Sequence, residues 1–504
     1  MKIETKFKKY IISLGVLLMA MVATTACSSG DTIIDEPINE PIVKPEAPKT
    51  YTMTVQATMG GDAATTRALG FDGTNLIATW TKDDVVKVYR VDGGSETNAP
   101  VGTLTAHGSG KTTTLTGTFT DYTPTVGNIL RLKYLTQIYS DQKGTLEYIA
   151  ANCDYATADV TITDVTDGKV ATTDASFKNQ QAIVKFSLKK SDGTTPIAAK
   201  NFSVKYGSNT YFVNLDNASS DIYVAIPGQS SNTVKLGAYS SAEDKIFGYG
   251  KASVIFENGK YYTISVKMSE WSGDLEMLPI DYTAKNNDLL TGKLDGKLKL
   301  SIAKYAHVYL YNVTINAKNS AGITCLGNAE IYLLGTNNVK TKAQNYPAVQ
   351  VADDVHCTLT IYGDGGSLTA TGGDSAAGIG SGSEGHCDHI IIRGNCTVTA
   401  TGGQYAAGIG SGYKGSCKDI SISSGCTVTA KGGQYAAGIG SGNGGSCDNI
   451  TITTGVTKVT ATKGDGASYS IGMGISGSCG NIIIGDTGYD DGITTSPFTY
   501  QPTN

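Results

Sequence analysis

The chain has 504 residues, among them 62 Gly, 28 Tyr and 10 Phe, with 17% charged residues and a net charge of -5; it is long enough for several domains and apolar enough to bury cores, which excludes a disordered tail. Its four arginines, Arg67, Arg90, Arg131 and Arg393, are scattered, so no basic stripe is available to neutralise phosphates, and no nucleic-acid partner is expected. Helix formers are sparse while Thr, Val, Ile, Tyr and Gly gather in short runs between Asp-Gly, Asn-Gly and Gly-Gly, which predicts an all-β chain with no amphipathic helix past residue 30.

Lys2, Lys6, Lys8 and Lys9 precede an apolar stretch from Tyr10 to Val22, followed by Ala23-Thr24-Thr25-Ala26-Cys27. This pattern predicts an export signal over residues 1–26, too short to remain as a membrane span. The small residues before Cys27 are arranged as in a bacterial lipobox, with Thr24 where such boxes usually carry Leu. Acylated Cys27 would anchor the chain to a membrane leaflet; cleavage after Ala26 without acylation is the alternative. Residues 27–50 are rich in Pro and acid (Asp35-Glu36-Pro37, Glu40-Pro41, Lys44-Pro45-Glu46), and such a segment makes an extended tether rather than a core.

From Tyr51 to Met268, alternating runs such as Thr52 to Ala57, Val85 to Tyr89, Ala182 to Leu188 and Tyr262 to Val266 are separated by turn clusters. This predicts two β-sandwiches, over 51–170 and 171–268. Thr66-Arg67-Ala68-Leu69-Gly70-Phe71, Trp80 to Tyr89, the Ala182 to Leu188 run, Ile226-Pro227-Gly228 and Gly259 to Ile264 stand here in an order that resembles the fimbrillin-like lipoproteins of Bacteroidetes, the major and minor fimbrial subunits. The resemblance implies two tandem transthyretin-like sandwiches and, at Arg67, a protease maturation site that frees a groove for a neighbour's strand. The alternative for Arg67 is an ordinary surface residue of the first interstrand loop.

Residues 269–284, with Trp271 and Pro279, read as a linker, and a repeat region over 285–488 follows. Gly372-Gly373-Asp374-Ser375-Ala376-Ala377-Gly378-Ile379-Gly380-Ser381-Gly382 returns at Gly402 and again at Gly432 with Gln-Tyr in place of Asp-Ser, a period of 30 residues. A period of this length without helical patterning marks a solenoid whose units bury their apolar faces against one another. Ile390/Ile392, Ile420/Ile422, Ile450/Ile452, Val398/Ala400 and Val428/Ala430 share one parity and should point inward. Three short strands per repeat, joined at Gly pairs, predict a parallel β-helix, with 489–504 as a tail. The leading Leu290-Thr291-Gly292, the Asn312 to Ile315 strand and the stacked repeats resemble the carbohydrate-binding right-handed β-helix family related in fold to pectate lyases.

Cys387, Cys417, Cys447 and Cys479 occupy one repeat position, and Cys396 and Cys426 another. Rungs about 4.8 Å apart lie within the reach of a disulfide, so the first set is either a disulfide ladder or a column of packed thiols. Inert packing is the reading for Cys396 and Cys426, and the spacing of metal-binding thiolates is absent. The Gly-Ile-Gly-Ser-Gly segments lack the Lys and following helix of a phosphate loop and read as tight corners. His386-Cys387-Asp388-His389 occurs in one repeat only and reads as turn residues.

Gln404/Tyr405 and Gln434/Tyr435 would stack on one edge, offering flat faces and amide donors to an extended glycan, or simply tying neighbouring repeats together. The Thr397/Thr399 and Thr427/Thr429 rows suit an ice-binding array but are also ordinary outward β-residues. A lyase site would need clustered carboxylates for calcium and a cationic base. Asp388, Asp419, Asp448 and Arg393 do not align to supply one. No catalytic residues, cofactor or metal are therefore expected; calcium has no clear ligand set. The reading is a lipid-anchored protein of the outer membrane surface or of fimbriae, an adhesin or fimbria-associated subunit whose β-helix binds a polysaccharide or host-surface glycan without turning it over. Its alternatives are a purely structural subunit that polymerises with other fimbrial subunits by strand exchange, and a polysaccharide lyase or hydrolase.

Overall fold

The Tyr51–Met59 strand buries every second side chain, Tyr51, Met53, Val55, Ala57 and Met59, each apolar one contributing about 1.5–3 kcal/mol if fully buried and of Val or Met size. It belongs to a computed structural model that describes residues 50–59, 70–72, 75–119, 122–351 and 357–502. Cys27 and Arg67 lie outside the described residues. Among the described residues, all but two short helical segments of the regular structure is strand.

The first sheet has nine strands, and its pairing returns on itself. Tyr51–Met59 pairs antiparallel with Thr112–Phe119 on one side and parallel with Lys169–Thr172 and Ala175–Asn179 on the other. The expected open sandwich is therefore a closed ring of strands at this point, which removes the exposed edges an open sheet would carry. Trp80 fills its interior, meeting Phe177 edge-on at 5.0 Å and Tyr134 at 5.6 Å. Because Ala175–Asn179 pairs with the first strand, this unit runs to residue 179 rather than the expected 170; no turn cluster marked that break.

Seven strands form the second sheet. Ala182–Lys190 pairs antiparallel with Asp221–Ile226 and parallel with Tyr261–Glu270, while Ala199–Tyr206 sits between Asn209–Ser219 and Asn232–Ser240. The two sheets share one apolar core, from Tyr51 to Met268. Between the first-sheet strands Ile129–Tyr134 and Ala156–Thr166 the chain forms a helix that sequence reading did not foresee, Leu146–Asn152, which packs against Asp221–Ile226 of the second sheet. Thr145 caps it, accepting from the Tyr148 N–H at 3.2 Å, and only Ile149 is buried, so it is too short to display an amphipathic period.

A second core begins at Leu275 and extends to Ile493. At the joint, a 3-10 turn over Leu275–Met277 is held by Lys235, whose ammonium contacts Asp274 at 2.7 Å and also Glu276. Trp271 donates from Nε1 to the Asp274 carbonyl at 2.7 Å and packs on Tyr282 at 4.7 Å. A Cβ at Gly237 would lie 1.5 Å from the Met277 carbonyl oxygen, so this approach demands glycine.

Beyond the joint, strands pair parallel with their counterparts one repeat on. Ladders begin at Tyr282–Ala284 against Leu300–Ile302, earlier than the expected start. Within the regular repeats, Ser416–Ile422 and Thr427–Lys431 lie in one large sheet and Ile439–Gly440 in another. Ile390, Ile420 and Ile450 are Cα partners in turn, as are Val398 and Val428, and all are buried. The described part of the expected tail, residues 489–502, pairs with the repeats. Thr487–Tyr489 folds back antiparallel on Ile482–Ile484, and Phe498–Tyr500 pairs antiparallel with Lys458–Thr462, so reversed strands close the end of the parallel ladder.

Candidate functional site

Repetition fixes what each position of a repeat can do. Gly380, Gly410, Gly440 and Gly472 have φ of 138°, 130°, 129° and 132°, and a Cβ at Gly410 would lie 1.9 Å from the Gly440 carbonyl oxygen. The Ser that follows is buried and accepts from a backbone N–H one repeat on: Ser381 from Gly412 at 3.1 Å, Ser411 from Gly442 at 3.1 Å, Ser441 from Gly474 at 3.0 Å. The Gly-Ile-Gly-Ser-Gly segments are thus corners tied by an internal serine ladder, whose hydroxyls are already engaged.

The corner after Gly402-Gly403 turns Gln404 and Tyr405 outward. Tyr405 and Tyr435 stack with ring centroids 5.4 Å apart and planes 20° apart, and Gln404 donates from Nε2 to Gln434 Oε1 at 3.1 Å. Tyr413 meets Tyr405 edge-on at 5.6 Å, and the Lys414 ammonium lies 5.1 Å from the Tyr413 ring. All four predicted contact residues are brought together. One amide bond of each glutamine is used within the pair, so the edge offers tyrosine rings, the remaining amide groups and one ammonium.

A second aromatic group escaped the sequence reading. Tyr309, Tyr332, Tyr362 and Arg393 are successive Cα partners on the outer side of the large sheet. The Tyr309 and Tyr332 rings lie 5.4 Å apart and those of Tyr332 and Tyr362 5.1 Å apart. The Arg393 guanidinium covers the Tyr362 ring at 4.8 Å, and His307 stacks on Tyr309 at 4.6 Å. Tyr362 Oη donates to Glu330 Oε2 at 3.1 Å and lies 3.0 Å from His307 Nε2. Burial, then the hydrogen bond to Glu330, pushes the Tyr362 phenol up to about 12. The residues alternate outward in each strand, but their spacings are uneven, because the early repeats differ in length from the later ones.

Cys387, Cys417, Cys447 and Cys479 are Cα partners in turn. All are free thiols, the first three buried and Cys479 half-buried. The expected column is built, and the structure holds it reduced. Its hydrogen bond to Cys387, with burial, holds the Cys417 thiol well above the usual range; the bond to Cys417 does the same for Cys447. Cys357 does not join, because Leu359 pairs with Ile390 and the register there is offset by one place from the later repeats. Cys396 and Cys426 instead point their thiols at the carbonyls of Arg393 at 3.4 Å and Ile392 at 3.8 Å.

Two of the carboxylates of this region, Asp388 and Asp419, are engaged by neighbours. His389 Nδ1 lies 2.8 Å from Asp419, Asn449 donates to Asp419 at 2.6 Å, and Lys418 contacts Asp388 at 3.4 Å. Among the described residues no group of three or more His, Cys, Asp or Glu is placed to hold a metal ion.

No family model matches the chain, and no curated protein matches it. Solved structures do. A candidate cell adhesion protein from Bacteroides uniformis is 15% identical, with 44% of this chain and 96% of that chain covered at a TM-score of 0.29. A fimbrial assembly protein from Parabacteroides distasonis is 14% identical, with 44% and 93% covered at 0.24. The C-terminally truncated tip fimbrial protein Mfa3 of Porphyromonas gingivalis is 8% identical, with 43% and 95% covered at 0.23.

Proposed function

We propose that this protein is a surface adhesin or fimbria-associated subunit whose C-terminal repeats form a parallel β-helix that binds polysaccharide without turning it over. The observation that carries the reading is the register of aromatic side chains on the outside of the repeats: Tyr309, Tyr332 and Tyr362 on one face, Tyr405 and Tyr435 on an edge. Rings repeated from strand to strand leave aromatic edges and part-covered faces along the outer surface for successive sugars, and weak contacts at several repeats add through multivalency. The N-terminal sheets are fimbrillin-like domains, and acylated Cys27 with the tether over 27–50 anchors them at the outer membrane. Titration of the full chain with plant and host polysaccharides, with and without calcium, tests binding; an assay of the same mixtures for released reducing or unsaturated ends tests turnover.

A second reading is favoured by one observation. The strand Tyr51–Met59 lies between strands on both sides, presents alternate apolar residues to the core and precedes the segment that carries Arg67. Cleavage there would free it covalently from the rest of the sheet, leaving a groove that a neighbour's strand could fill by β-augmentation. In this reading the repeats extend a shaft or cap a tip. Cleavage after Arg67 followed by sizing tests it: polymers support exchange, and a persistent monomer opposes it.

A further inference from the structure

The cysteine column differs from every other set of thiols in the chain. Three consecutive pairs, Cys387/Cys417, Cys417/Cys447 and Cys447/Cys479, are directly opposed in parallel ladders. Three are almost wholly buried, at 2%, 1% and 2% exposure for Cys387, Cys417 and Cys447; Cys479 alone is open to solvent in part. At the other end, Cys387 has a carbonyl neighbour, with Sγ 3.9 Å from Gly410 O. Cysteines at positions that would otherwise suit any small apolar residue thus form a continuous file with one accessible end.

Thiol–disulfide exchange proceeds by attack of one sulfur on a second with departure of a third, and its rate depends on access. Stacking along the ladder axis sets each inner sulfur between two others, in the order such a transfer uses. We propose that Cys387, Cys417, Cys447 and Cys479 are a disulfide-exchange relay that is loaded by an external disulfide at Cys479 and ends as the Cys387–Cys417 and Cys447–Cys479 bonds. This goes beyond the adhesin reading and stands whether or not a glycan binds.

The steps balance. Cys479 gives its proton to water and attacks the external disulfide, forming a mixed disulfide and releasing one external thiolate; because its interaction with Cys447, with burial, holds the Cys479 thiol well above the usual range, this loading step should speed as pH rises. Cys447 gives its proton to that departing group and attacks Cys479 Sγ, forming Cys447–Cys479 and releasing the second external thiol. Cys417 then attacks Cys447 Sγ; Cys417–Cys447 forms and Cys479 takes up the proton that Cys417 loses. Cys387 attacks Cys417 Sγ in the same way, forming Cys387–Cys417 and returning the proton to Cys447. A second external disulfide at Cys479 closes Cys447–Cys479. Four thiols have been oxidised, and two external disulfides reduced to four thiols. End loading explains why the final pairing is the outer two pairs: a central Cys417–Cys447 bond would leave two thiols stranded, whereas migration empties Cys479 for a second load.

The test incubates the folded full chain with oxidised glutathione, quenches with acid, alkylates the remaining thiols and maps the peptides. The expected end state is Cys387–Cys417 and Cys447–Cys479, with Cys153, Cys325, Cys357, Cys396 and Cys426 still reduced. Cys479→Ser should slow oxidation of the remaining column at least tenfold. Cys387→Ser should form Cys447–Cys479 at the unmodified rate and retain one free column thiol. Thermal melts of both variants establish that they are folded. A glutathione adduct that persists on Cys479 with no bond in the column overturns the proposal. So does oxidation of Cys387 and Cys417 at an unchanged rate in folded Cys479→Ser.

Discussion

Tyr332 and Tyr362 are opposed in adjacent parallel strands and meet edge-on, with ring centroids 5.1 Å and planes 85° apart. Such a contact contributes about 0.5–1.5 kcal/mol beyond the area it buries. The row therefore ties the early repeats together whatever else it does. The adhesin reading requires more of it: the ring faces left to solvent must also hold a ligand.

Replacing Tyr309 and Tyr332 together with Ala should weaken polysaccharide binding about tenfold or more, equivalent to at least ~1.4 kcal/mol. The loss in folding stability should be about 1–3 kcal/mol. Affinity electrophoresis and chemical denaturation of the same variant separate the two effects. Unchanged binding in a stably folded variant would remove this row from the site.

At the corners, Ser411→Ala leaves the Gly442 N–H without its buried acceptor, which should lower stability by about 1–3 kcal/mol. Gly410→Ala should be worse, because the added carbon meets the Gly440 carbonyl oxygen at 1.9 Å and the backbone is at φ 130°. Urea denaturation of both variants should rank them in that order.

Between the first-sheet strands Ile129–Tyr134 and Ala156–Thr166, Arg131 donates to both carboxylate oxygens of Asp159 at 2.8 Å. The paired guanidinium holds the Asp159 carboxyl below its usual value. The unfolded chain then binds the proton more readily than the folded one. The stabilisation is thus present above the unfolded pKa of about 3.9 and is lost as pH falls through the lower folded value. Because the pair is partly exposed it should amount to less than about 1 kcal/mol. Asp159→Asn should flatten that part of the acid stability curve, measured as urea midpoints from pH 6 down to pH 2.

Lys235 bonds to Asp274 and Glu276 across the joint between the two cores. Lys235→Ala leaves two half-buried carboxylates without their cation and should lower stability by about 1–3 kcal/mol. The effect should appear as earlier proteolysis near residues 269–281; a cleavage pattern identical to that of the unmodified chain would place the strength of the joint elsewhere.

The repeats were the most legible part of the chain. A period of 30 and an inward parity of Ile and Val dictate which residues stack, and Ile420, Val428 and Cys417 are found in those places. The Tyr405–Tyr435 stack follows from the same arithmetic. Tyr309, Tyr332 and Tyr362 did not stand out, because unequal early repeats break the fixed offset although the backbone restores the register. Closure of the first sheet was hidden for a different reason. Pairing of Tyr51–Met59 with Lys169–Thr172 joins residues far apart in sequence, and alternation within a strand says which face is buried but not which strand lies beside it. The reversed strands Thr487–Tyr489 and Phe498–Tyr500 carry little apolar patterning, since Phe498–Tyr500 is only partly covered.

The central claim is that the outer faces of the repeats hold a polysaccharide and leave it intact. Calorimetric titration of the full chain with a panel of plant and host polysaccharides, with product release measured in the same samples, tests it most directly. The account predicts saturable binding to at least one polysaccharide, weakened about tenfold or more in Tyr309→Ala/Tyr332→Ala or in Tyr405→Ala/Tyr435→Ala, with no released ends. Release of unsaturated or reducing ends, or no binding across the panel by a folded chain, would contradict it.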